Sequence, residues 1–307
     1  MAPPVAVLLD TDIGTDVDDA IALALLLAAP EVDLRAVTTV SGDTELRARI
    51  ARKLLNLGGR PDVPVAAGIR EPVLRQRSFL WLGHEGRGIV EAQDAPLSSA
   101  THGVDLFIDR VLREHPHVVA IGPLSNVAVS IMKEPQVIAA LPRLTIMGGA
   151  LGRAPAVPTV EYNLGSDAEA AVVVFNAGLS LTLVPLDVTW RVFFTTAELR
   201  RLRTSGSHFV QTLCDAIDIW APIQRGFFEM RPGFDRDIVA FLHDPLTVAV
   251  QIDPSLVTMQ RIALRAAIVD GAFCLREEAG APEMDVAVDV DAPRFVDFVI
   301  DRLLRLP

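Results

Sequence analysis

The chain has 307 residues, half of them apolar, with a net charge of −11 and a sequence pI near 5.0. That length can bury a sizeable core, and an acidic balance without any basic run argues against a nucleic-acid backbone or an anionic membrane surface as partner. Ile21–Ala29, the longest strongly apolar stretch, is too short to span a bilayer, and Met1-Ala2-Pro3-Pro4 lacks the basic-then-apolar pattern of a secretory leader. With only Cys214 and Cys274, which lack metal-ligand spacing, the expected compartment is a reducing cytoplasm.

Short β-rich runs alternate with stretches of helical period, the pattern of βαβ units. The first strand is predicted at Val5–Leu9 and the first helix over Asp19–Ala28. A strand at Leu34–Val40 precedes a helix over Thr44–Leu57, and Val63–Ala67 reads as a third strand. Val104–Glu114 is helical, His117–Ile121 a strand and Ser125–Lys133 a helix. Strands at Leu144–Met147 and Leu181–Pro185 flank a helix over Asp167–Asn176, and residues 196–230 read as mainly helical. Met284–Val290 and Pro293–Leu304 close the chain as strand and helix. No repeat or linker interrupts this order. The expected architecture is therefore one α/β domain over residues 1–307, with an open, mostly parallel, Rossmann-like sheet flanked by helices. Such sheets bind ligands beyond the carboxyl ends of their strands. Those ends carry Asp10–Asp19, Ser41-Gly42-Asp43, Gly122-Pro123, Gly148-Gly149 and Asp187.

Residues 10–19 read Asp-Thr-Asp-Ile-Gly-Thr-Asp-Val-Asp-Asp. So many carboxylates at one strand end raise each other's pKa unless a cation neutralises them. One Asp is explained by capping the next helix, but the whole set is not. Oxygen donors without Cys or His favour a hard ion, Ca²⁺ or Mg²⁺. An EF-hand loop is a poor fit, because no Glu stands twelfth from Asp10 or Asp12.

Asp10-Thr11-Asp12-Ile13-Gly14 and Asp18-Asp19-Ala20-Ile21-Ala22-Leu23 together resemble the amino-terminal signature of the nucleoside hydrolase family. Further stretches resemble the family in the right order: Thr38-Thr39-Val40-Ser41-Gly42-Asp43, Ile121-Gly122-Pro123-Leu124-Ser125-Asn126, Met147-Gly148-Gly149 with Glu161-Tyr162-Asn163 and Asp167-Ala168-Glu169-Ala170, and His243-Asp244-Pro245. The resemblance covers essentially the whole chain. It implies a calcium-dependent N-ribohydrolase of the inosine–uridine-preferring type, releasing free base and ribose. The implied calcium ligands are Asp12, Asp19, Asp244 and the backbone carbonyl of Ile121, where family members often carry Thr. Asp18 is implied as the general base for a water on the calcium. Asp43, Met147, Glu161 and Asn163 would hold the ribose. His243 would protonate the leaving base, and a homodimer or homotetramer is expected.

Two departures stand out. Thr15-Asp16-Val17 make the interval between Asp12 and the Asp18-Asp19 pair two residues longer than usual, which leaves Asp16 a ligand, a supporting residue or a solvated carboxylate. Residues 150–160 lack the customary Asn and contain Arg153, Pro155 and Pro158 instead. For the base side, the glycine-rich segment Trp81–Gly88 resembles the family's mobile flap and offers His84 and Trp81. Trp220, Phe227, Phe228 and Arg231 offer an opposite wall, although aromatic residues at helical spacing are also the pattern of core packing. Two alternatives differ in class. Val7-Leu8-Leu9-Asp10-Thr11-Asp12 also looks like the nucleophile motif of haloacid-dehalogenase-like phosphatases, with Asp10 attacking phosphorus. That explains the first motif only, and neither Lys53 nor Lys133 has the setting such an enzyme needs. A non-catalytic ribose-binding protein would be expected to have lost a metal carboxylate or the base, and this chain keeps them.

Overall fold

Val5–Thr11 forms strand β1, a Val/Leu run in which alternate residues serve opposite faces: Val7 and Leu9 join one buried cluster and Leu8 the other. The structure is a computed structural model describing residues 3–91, 94, 101–153, 161–231 and 234–307. After β1 come α1 (Asp18–Leu27), β2 (Val32–Thr39), α2 (Thr44–Leu57), β3 (Val65–Ala67) and α3 (Gly103–Glu114). β4 (His117–Ala120), α4 (Ser125–Lys133), α5 (Gln136–Ala140) and β5 (Leu144–Met147) follow. Next are α6 (Tyr162–Ser166), α7 (Ala168–Phe175), β6 (Leu181–Val184), α8 (Leu186–Thr189) and β7 (Phe193–Thr195). The chain continues through α9 (Thr196–Arg203), α10 (His208–Phe228), β8 (Ile238–Phe241) and α11 (His243–Ile252). It closes with β9 (Val257–Val269), β10 (Ala272–Glu277), β11 (Glu283–Val290) and α12 (Ala292–Leu303).

Among the described residues the main sheet has nine strands in the order β10-β9-β11-β6-β5-β4-β1-β2-β3. β3 through β11 in that order pair in parallel, while β9 and β10 add an antiparallel edge. β7 and β8 form a separate antiparallel pair. The α/β architecture with a mostly parallel sheet is as the sequence predicts. Helices cover both faces: α1, α2, α10, α11 and α12 contribute to one core, and α3, α4 and α7 to the other. Among the described residues no helix is long and apolar enough to cross a membrane.

The chain leaves β1 for β2 and β3 on one side, then returns to β4 on the other. That reversal opens a crevice at the carboxyl ends of β1 and β4, the place where open α/β sheets hold ligands. α1, buried on nearly all sides, starts at this crevice and packs against α11. The amino termini of both helices therefore face the same point.

Candidate active site

Asp12 follows β1 directly and Ile121 follows β4, while Met147 ends β5. The Ile121 N–H donates to the Asp10 carbonyl at 2.8 Å, which ties the two strand ends together. Gly122 is required beside them, because a Cβ there would lie 2.9 Å from both the backbone nitrogen and Oδ1 of Asp12. Gly14 turns the following loop at φ +118°, a conformation that favours glycine.

Asp18 and Asp19 open α1 and Asp244 opens α11. Among the described residues their carboxylate oxygens form a candidate metal group, all within 4.8 Å of one another. The Asp244 N–H donates to Asp18 Oδ2 at 3.1 Å, and the Thr11 hydroxyl donates to Asp19. Asp12 lines the same cavity. All four side chains are buried. Burial raises the pKa of each, and mutual repulsion adds to this for Asp18, Asp19 and Asp244, whereas the Arg47 guanidinium opposes the shift at Asp12. Two helix amino termini supply partial positive charge here, but too little to balance such a cluster. A hard divalent cation suits the donors: all are oxygen, converging and charge-deficient. Asp16 stands at the edge of this group. Its Oδ1 accepts the Val17 N–H at 2.6 Å, and burial, with the charge of Asp19, pushes it up to about 7.

On the opposite side Glu161 caps α6. Its carboxylate accepts N–H groups from Asn163 (2.6 Å), Gly149 (2.9 Å) and Leu164 (2.9 Å), which partly offset the upward shift caused by burial. Asn163 Nδ2 donates to the Ile121 carbonyl at 3.0 Å and lies 3.3 Å from Met147 Sδ. The carbonyl keeps a second lone pair for a cation. Asp12, Ile121, Met147, Glu161 and Asn163 all line one cavity of about 430 Å³, ample for a nucleoside-sized ligand. Asp43 lies beyond its lining and caps α2, accepting the Leu46 N–H at 3.2 Å. Residues 154–160, which include Pro155 and Pro158, lie outside the described residues.

The far wall is aromatic: Trp190, Trp220, Phe227, Phe228 and Phe241 with His243. The His243 ring is stacked near Phe241 and Trp190, at centroid distances of 5.2 and 6.1 Å, and its Nδ1 is 2.9 Å from the Thr189 hydroxyl. Burial among these groups lowers its pKa to about 3, so it is neutral at pH 7. Trp220, Phe227 and Phe228 line the cavity as the sequence suggests, whereas Arg231 lies over Trp190 at 5.4 Å. His84 sits behind the wall, stacked on Trp220 at 5.7 Å with Nε2 2.8 Å from the Thr15 carbonyl. Trp81 packs on Gly42 and under Arg47, and its neighbour Leu80 reaches the cavity in its place. Sequence reasoning missed Trp190, Phe241, Leu80 and Tyr162. Phe241 stands two residues before His243 on a strand, the one local signal that could have exposed it.

Asp10 is fully buried outside the cavity, and its Oδ1 accepts from Thr38 Oγ1 (2.6 Å) and Asn126 Nδ2 (2.7 Å). It cannot reach a substrate as nucleophile, which removes the phosphatase alternative.

Residues 7–297 match the family described as inosine-uridine preferring nucleoside hydrolase. The pyrimidine-specific ribonucleoside hydrolase RihA of Salmonella agona is 32% identical over 323 aligned positions, covering 99% of each chain. An inosine-uridine preferring nucleoside hydrolase of Leishmania major is 30% identical, covering 99% of this chain and 98% of its own. Among solved structures, a purine-preferring ribonucleoside hydrolase from Gardnerella vaginalis superposes with a TM-score of 0.85 at 29% identity, covering 98% of both chains. The chain belongs to the nucleoside hydrolase family. It is an enzyme that hydrolyses the N-glycosidic bond of ribonucleosides.

Proposed function

We propose that this hydrolysis depends on one Ca²⁺ held by Asp12, Asp19, Asp244 and the Ile121 carbonyl. The observation that carries this reading is the convergence of buried carboxylates on two helix amino termini at one end of an aromatic cavity. The cation would orient a water and the ribose diol and make both more acidic. Glu161, Asn163 and Met147 would hold the sugar, and the carboxylates would stabilise the positive charge that develops on it as the bond breaks. Asp18 would take the proton from the attacking water. A second assignment has its own support: Asp18 groups with Asp19 and Asp244 as closely as a ligand would, which leaves Asp12 free to act as base.

On the base side, a Thr189 hydroxyl donating to Nδ1 would place the ring proton of His243 on Nε2. His243 would then donate that N–H as a hydrogen bond to the departing base, stabilising the negative charge that develops on it, while the aromatic wall stacks on it. The named relatives differ in base preference, and the wall suits any planar heterocycle. The test is a nucleoside panel, purine and pyrimidine, assayed for free base and ribose with metal-stripped protein before and after Ca²⁺ is restored. Turnover that needs no metal overturns the reading.

A further inference from the structure

We infer that Arg47 is a positioning residue that holds the aspartate loop after β1, the Ser41-Gly42 turn and the Trp81–Glu85 segment in one arrangement. This rests on the calcium reading above. Arg47 is fully buried on α2; its charge acts on Asp12 and Asp19, but among the described residues its hydrogen bonds go to other acceptors. Its guanidinium is spent on the backbone instead. Nε donates to the Ser41 carbonyl at 2.6 Å, and Nη1 donates to the carbonyls of Asp12 and Ile13, the latter at 3.0 Å. Nη2 donates to Thr15 Oγ1 at 3.0 Å.

Each partner matters to the site. Asp12 and Thr15 both line the cavity. Ser41 is held at φ +76°, an uncommon conformation for a residue with a side chain, and so depends on outside support. The Trp81–Glu85 segment is tied in twice. Trp81 lies 5.2 Å from the guanidinium carbon, and Thr15 receives His84 Nε2 at its carbonyl while its hydroxyl donates to Glu85 at 3.4 Å. Thr15 thus stands where Arg47 and residues 84–85 both reach it. A planar fork can bond four acceptors around its edge while its face stacks on Trp81. An ammonium group cannot do both.

The deciding variant is Arg47→Lys, which keeps the charge and loses the fork. Calcium affinity of the metal-stripped full chain is measured by titration calorimetry, and kcat and KM are measured at saturating calcium. Charge-assisted bonds of this kind lead us to expect calcium binding weakened about ten-fold or more. A misplaced loop should also lower kcat by about ten-fold while KM moves by less than about three-fold. Binding and kcat within about two-fold of wild type would overturn the inference, since the charge alone would then suffice. Should Arg47→Lys fail to fold, Thr15→Val removes one arm of the fork, with an expected loss of about three- to ten-fold in calcium affinity. No loss there overturns it equally. Wild-type protein that binds no calcium overturns both this inference and the metal reading, whereas tight wild-type binding with an unaffected Arg47→Lys overturns this inference alone.

Discussion

Stripping divalent cations from the full chain is expected to lower its melting temperature, and the loss should grow with pH. The carboxylates of the cluster have folded-state pKa values above their ordinary range, and Asp16 beside them is pushed from 3.8 to about 7 by burial and the charge of Asp19. A carboxyl group whose pKa is raised on folding binds more protons folded than unfolded. Its contribution to stability is complete below the unfolded value and is lost as pH rises through the folded one. The metal-free protein should therefore weaken between roughly pH 4 and pH 7. A bound cation removes that dependence, because the carboxylates are then stabilised in their charged form. At one hundred times its dissociation constant, a ligand of the native state adds about 2.7 kcal/mol. With an unfolding entropy of about 2.1 cal/mol/K per residue over 307 residues, that corresponds to about 4 °C. The assay is calorimetric melting of dialysed protein with and without Ca²⁺ at pH 5, 6, 7 and 8. A calcium shift that is absent at pH 8, or larger at pH 5 than at pH 8, would refute the reasoning.

Asp12→Asn and Asp18→Asn should separate the two assignments of the base: the true base loses about a hundred-fold or more in kcat with calcium still bound, and the ligand loses calcium affinity, both read by kinetics beside calcium titration. Asp16→Asn should do much less than either. His243→Ala should slow natural nucleosides most and leave p-nitrophenyl riboside largely intact, because an activated leaving group needs no proton; equal losses on both would reduce His243 to a packing role. Trp190→Ala should raise KM for natural nucleosides by about five- to one-hundred-and-fifty-fold, the scale of base–aromatic stacking, checked in the same assays; an unchanged KM would remove Trp190 from base recognition.

The parallel sheet was legible because its strands are buried on both faces and read as continuous apolar runs. The convergence of carboxylates was legible because a switch in strand order places them at strand ends that the sequence itself marks with Asp and Gly. The antiparallel β9–β10 edge was not predicted, although Asp270-Gly271, both at positive φ, carry the signal of a two-residue hairpin turn. α11 was missed as an element even though Pro245 stands in its first turn, where proline favours a helix start. Arg47 was invisible for a different reason. An Arg on an amphipathic helix reads as a solvated face, and only the fold shows backbone carbonyls converging on it. The base-side wall combines residues 190, 220, 227, 228 and 241, and no local spacing encodes that meeting.

The single turn of α8 explains why the two ends of the cavity form one unit. Asp187 accepts the N–H groups of Leu151 and Arg153, each at 2.7 Å, and so holds the start of the loop that leads to Glu161. Two residues on, Thr189 meets Nδ1 of His243, while Leu186 and Trp190 on either side line the cavity. Within five residues the chain thus supports the ribose-side loop, orients the imidazole and supplies an aromatic wall. A helix turn of this length has no internal freedom to move one of these groups without the others, since its residues are fixed at 1.5 Å and about 100° per step. Packing on this turn that shifts Trp190 to admit a different base will also shift the anchor of residues 149–153. If the aromatic wall holds the base and the Glu161 side the sugar, as proposed above, the two are mechanically coupled through α8. Changing one by substitution at Trp190 should therefore be visible in the KM of substrates altered only on the ribose.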